Sequence, residues 1–114
     1  MLTTAAINEM LDGLTVDTLS VHTGDPGASG TSNEVSGDGY ERESASFAAA
    51  SNGERVLSSA VQFAGPANED AAYLGMWEGS TYKGSIQITS GDTTFNASGE
   101  FTATTGNKIT LANS

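Results

Sequence analysis

Residues 19–47, LSVHTGDPGASGTSNEVSGDGYERESASF, decide how the rest of the chain is read. Leu19 and Val21 alternate with Ser20 and His22, the period of two that marks a half-buried strand. Gly24, Asp25, Pro26, Gly27 and Gly30 follow, residues that supply left-handed backbone, a fixed φ and side chains that bond their own main chain. A second break at Gly37-Asp38-Gly39 precedes Tyr40, and alternation resumes to Phe47. The excursion over 23–39 is about 17 residues long, well beyond an ordinary connection. A loop of that length in a small domain is a binding device or a disordered segment.

The composition bounds the rest. A chain of 114 residues forms one domain. Leu, Ile, Val and Phe make up only 20 of the 114 residues beside a net charge of −10, close to the composition of disordered chains. The low charged fraction of 16% and the regular strand-length periodicity argue instead for a folded domain that gains stability by association. With no cysteine there is no disulfide or thiolate chemistry. No apolar run is long enough to span a membrane, and the first residues lack the basic-then-apolar pattern of a secretory signal. Arg42, Arg55, Lys83 and Lys108 face 14 acidic residues, which argues strongly against a nucleic-acid surface.

Residues 3–12, TTAAINEMLD, predict the one helix, with Thr3 or Thr4 as cap. Ile7, Met10, Leu11 and Leu14 fall at helical spacing on one stripe, and Gly13 is placed for the left-handed position that ends helices. From Thr15 onward the chain reads as strand and turn, with strands expected over 15–22, 40–48, 54–64, 71–78, 82–89, 93–96, 99–104 and 108–112. Turn signals every 8 to 14 residues or so are those of an antiparallel sandwich or barrel. The expected fold is mainly β: an antiparallel β-sandwich over 14–114 with a short N-terminal helix over 1–13. No internal repeat marks a fibrous shaft.

Chemistry is sparse. His22 is the only histidine, and no G-x-S-x-G elbow accompanies it, so it reads as a residue that fixes the loop by hydrogen bonds. Asp25, Glu34, Asp38, Glu41 and Glu43 crowd the loop among glycines, but their spacing fails the calcium-loop pattern. They read as solvated carboxylates or partners of Arg42, and no metal or cofactor is expected. Tyr40, Tyr73, Trp77 and Tyr82 would suit a sugar platform; packing is the simpler reading. Period two puts Tyr73, Gly75 and Trp77 on one strand face, with Trp77 a core or interface anchor.

His22-Thr23-Gly24-Asp25-Pro26-Gly27, Asn33-Glu34-Val35 and Gly39-Tyr40 with Arg42 resemble a pattern in small structural proteins of tailed phages. Leu74-Gly75-Met76-Trp77 sits where that family has a "GLW/GLF" segment. The chain departs from the pattern at Glu41 and Glu43, and its C-terminal third matches only in strand-like texture. The resemblance implies a non-enzymatic virion protein, either a capsid-decoration or a tail-fibre component. A single domain without shaft repeats favours the decoration role, with the major capsid protein and neighbouring copies of the chain as partners in a homo-oligomer. The alternative is a tail-fibre or tail-tip β-sandwich with glycan or receptor affinity. Neither nucleic acid nor membrane is an expected partner. The candidate interface comprises His22, Asp25, Pro26, Gly27, Asn33, Glu34, Tyr40, Arg42 and Trp77.

Overall fold

Thr3 opens the single helix by accepting a hydrogen bond from the Ala6 amide on its side-chain oxygen, 3.1 Å away. The computed structural model describes residues 2–110. Helix α1 (Thr4–Asp12) buries Ile7 and Leu11, four residues apart and therefore one above the other. Met10, expected on the same stripe, is 54% exposed, because the buried face of the helix is confined to Ile7 and Leu11. Gly13 does not take the left-handed position expected of it: its φ is −78°. The helix needs no such cap. The Arg55 guanidinium reaches under its C-terminus and donates to the carbonyls of Leu11 and Leu14 at 3.0 and 2.8 Å. The same group donates to Ala48 and Phe47 carbonyls, tying helix, loop and strand together.

The strands among the described residues are all antiparallel. Strands β1 (Thr18–His22), β2 (Glu43–Ser44), β5 (Tyr73–Glu78) and β6 (Thr81–Gln87) form one sheet in the order β2-β1-β5-β6. β3 (Glu54–Val56) pairs with β8 (Lys108–Thr110), and β4 (Val61–Ala64) pairs with β7 (Glu100–Ala103). The expected sandwich is thus one continuous sheet plus two ribbons around a shared core. That core runs from Ile7 through Leu19, Val21, Leu57, Phe63, Leu74, Phe95 and Phe101 to Ile109.

Several expected strands are shorter or divided. The 54–64 run breaks between Val56 and Val61, where Ser58 turns its amide and hydroxyl to the Ser46 carbonyl instead of a ladder partner. The 40–48 run is a strand only at Glu43–Ser44; beyond it the chain changes partner, and Phe47 bridges Leu57. Residues 93–96 form no strand but an interrupted pairing with 69–71, through the Asp70–Thr94 bridge and bonds on either side. The last expected strand begins as β8, and its residues 111–112 lie outside the described residues.

In β1, Leu19, Ser20, Val21 and His22 are all fully buried, so both faces of this strand are covered. Leu19 and Val21 belong to the hydrophobic core, and Ser20 and His22 alternate with them. Over them lies the long excursion between β1 and β2, residues 23–42, here termed the strap.

Candidate functional site

The strap begins as an extra rung on β1. The Thr23 amide donates to the Asn33 carbonyl at 2.9 Å, the Val35 amide to the Val21 carbonyl at 2.9 Å, and His22 bridges Glu34. Its far end is a built turn. Asp25 accepts the Gly27 amide at 2.9 Å on its side chain, and Asn33 donates from its side-chain amide to the Asp25 carbonyl at 3.0 Å. Pro26 is buried within it and accepts the Ser32 amide at 3.0 Å. Gly30 sits so close to the Tyr82 ring that a Cβ there would overlap it, and its φ is +77°. Glycine is required here on both counts.

Beneath the strap, side chains from β1 and β5 form a chain of hydrogen bonds running one way. Trp77 Nε1 donates to Ser20 Oγ at 2.8 Å, Ser20 Oγ lies 2.7 Å from His22 Nε2, and His22 Nδ1 lies 2.8 Å from the Ser32 carbonyl. A carbonyl can only accept, so Nδ1 carries the ring proton and Nε2 accepts from the Ser20 hydroxyl. Each proton in the line has an acceptor. Gly75 makes the room: a Cβ there would overlap Ser20 Oγ and stand 2.9 Å from His22 Nε2 and 3.1 Å from Trp77 Nε1.

Glu34 is the second node. Arg42 grips it with two bonds, Nε to Oε2 at 3.0 Å and Nη2 to Oε1 at 2.9 Å, and the Tyr40 hydroxyl donates to Oε2 at 2.8 Å. Tyr40 in turn accepts the Val21 amide at 2.9 Å, so its hydroxyl oxygen joins strap to strand. Burial opposes the Glu34 charge, yet the Arg42 and Tyr40 bonds outweigh it and hold the carboxyl below its ordinary value. Burial, with the Glu34 carboxylate beside it, pushes the Tyr40 hydroxyl well above its ordinary range. Burial lowers His22, against the opposing pull of the Ser32 carbonyl. The Arg42 guanidinium lies over Trp77, 3.7 Å from the ring centroid, and Tyr82 packs beside the indole at 5.1 Å.

All nine residues of the candidate interface therefore meet in one assembly of strap and sheet. His22, Pro26 and Trp77 are buried inside it and present no surface of their own, whereas Asp25, Gly27 and Asn33 at the strap tip are exposed. Ser20, Gly75, Ser32 and Tyr82 complete the assembly, though none of them belongs to the candidate interface. Gly75, an isolated glycine inside a strand, carries the one local signal of close approach. Ser20 and His22 have the spacing of a nucleophile and its base, but neither is exposed, and the hydroxyl already accepts from Trp77. The strap carboxylates do not converge: among the described residues, no three acidic or histidine side chains are grouped to hold a metal ion. No helix among them is long and apolar enough to cross a membrane.

A family model described as podophage GP4 fiber I protein gp80 matches residues 8–113, and the chain belongs to that family of phage virion structural proteins. No curated protein and no solved structure matches the chain.

Proposed function

We propose that this chain is a non-enzymatic structural module of a podophage fibre. The family match across residues 8–113 carries the reading and favours the fibre over the capsid-decoration role that the lack of shaft repeats suggests. The strap supports it. A long loop bonded along its length to its own sheet is a rigid part of the body, suited to a module that holds shape under load rather than to an arm that orders on docking. Its tip, with Asp25, Gly27 and Asn33 exposed, is the surface offered to a neighbouring copy or fibre segment. The net charge of −10 supports solubility of the free chain and argues against phosphate-backbone binding.

Gold-labelled antibody against the chain, applied to intact virions, tests this reading. Label confined to fibres is the expected result. Label distributed over the capsid faces would return the chain to the decoration role, with the major capsid protein as partner.

A further inference from the structure

We propose that His22 is a proton-operated catch: a proton taken up at Nε2 reverses the Ser20–His22 bond and frees the arm of the strap over 23–34 from the sheet. The inference rests on the direction of the hydrogen-bond chain and is independent of where the chain sits in the virion.

In the closed state each link has one proton and one acceptor: indole N–H to Ser20, Ser20 hydroxyl to Nε2, Nδ1–H to the Ser32 carbonyl. Nδ1 already holds a proton against the Ser32 carbonyl, and Nε2 has the ring's one available lone pair. An added proton therefore goes to Nε2. The ring is then a donor at both ends, Ser20 Oγ must accept from Trp77 and from His22 together, and its own proton loses its acceptor. Among the described residues Ser20 Oγ meets only Trp77 Nε1 and His22 Nε2, so its proton has no second acceptor to turn to. The site is fully buried at Ser20 and His22, so no solvent relieves the mismatch.

The charges around the ring do not remove the penalty. Glu34 of the strap favours protonation and Arg42 of the strap opposes it, and the two are already bonded to each other. β5 contributes Tyr73, paired opposite His22, and Trp77, neither of which brings a carboxylate or a cationic group. The nearest neighbours along β1 and into the strap, Ser20, Val21 and Thr23, carry no charge. The burial that disfavours the imidazolium in the closed state is lost when the arm lifts.

The arm is separable from the core. On the opposite face of β1, Leu19 and Val21 stay packed in the hydrophobic cluster with Leu74 and Met76, and that packing does not involve the ring. Val35, at the end of the arm, is itself a core residue and marks where the opening stops.

The closed state has the lower affinity for the proton, so closure is complete above the ordinary histidine value of 6.5 and weakens as pH falls below it. The closed-to-open ratio falls by up to about tenfold per pH unit for one proton. The chain holds one histidine and one tryptophan, and both are in the catch. The test is a titration of the whole chain from about pH 8 to about pH 5, above the Glu34 range, following His22 by nitrogen-15 NMR, Trp77 by fluorescence and the fold by far-ultraviolet circular dichroism. The expected result is a neutral ring protonated at Nδ1, a titration below pH 6.5, a Trp77 change with the same midpoint, and an unchanged dichroism spectrum. Protease cuts within 23–34 should appear over the same range, and His22→Gln should abolish the Trp77 transition while keeping the native spectrum at neutral pH. A His22 titration at or above 6.5, or Trp77 fluorescence that stays flat through it, overturns the proposal. If His22→Gln fails to fold, the two wild-type titrations decide alone.

Discussion

The guanidinium of Arg42 lies 3.7 Å above the ring of Trp77 while its fork holds Glu34, so one side chain shields the indole and locks the strap. A lysine could supply the charge but neither the planar group nor the paired bonds. Arg42→Ala should therefore lower stability by about 2 kcal/mol, and Arg42→Lys should recover less than half of that. Urea unfolding followed by Trp77 fluorescence measures both. The Ala variant should also show a red-shifted native spectrum, because the indole loses its cover.

Two glycines separate packing from backbone strain. At Gly75 an added methyl meets Ser20, His22 and Trp77 together, and Gly75→Ala should cost about 2–3 kcal/mol. At Gly37 the φ is +89° but nothing lies within 4 Å of the added carbon, so Gly37→Ala should cost only the backbone penalty of about 1 kcal/mol. Equal losses in a melting comparison would mean that the space behind Gly75 is not filled as described.

Arg55 anchors the helix. Its guanidinium serves four backbone carbonyls, those of Leu11, Leu14, Phe47 and Ala48. Asn8 and Asp12 add bonds to the Gly53 and Ala50 amides. Arg55→Ala should cost about 2–4 kcal/mol and raise amide exchange across residues 4–12, because half-buried carbonyls lose a charged donor. Removal of residues 1–12 should lower the melting temperature as well, since Ile7 and Leu11 leave the core. An unchanged melt after that truncation would mean that the helix is an independent arm.

The Glu34 node gives acid stability a second, lower range. The folded carboxyl binds its proton less readily than the unfolded one, whose ordinary value is 4.5. Its contribution is thus present above that value and is lost as pH falls through the folded value. Urea midpoints measured from about pH 6 down to about pH 3 should decline, and Glu34→Gln should start lower and decline less. Parallel curves for the two proteins would remove Glu34 from the account.

Much of the fold is legible in the sequence because local pattern determines it. Period two at 19–22 and 73–77 gives β1 and β5, and Thr3 with Ile7 and Leu11 gives the helix. The breaks at Ser58 and beyond Ser44 are not legible, because each depends on a partner chosen across the fold. The site is legible only in part. His22, Glu34, Tyr40 and Arg42 stand out as a loop cluster, and Trp77 as an anchor. That they share one assembly depends on Ser20, which meets Trp77 across 57 residues of sequence. Alternation in β1 implies a wet outer face, and only the folded strap makes that face dry.

That the strap is a bonded layer of the module, not a free arm, is tested most directly by amide hydrogen exchange of the isolated chain at neutral pH. Thr23, Ser32 and Val35 donate their amides to Asn33, Pro26 and Val21, and Val21 donates to the Tyr40 hydroxyl. These four amides should exchange as slowly as those shared between β1 and β5. Exchange of the three strap amides at the rate of an unstructured peptide, with β1 and β5 still protected, would contradict the account.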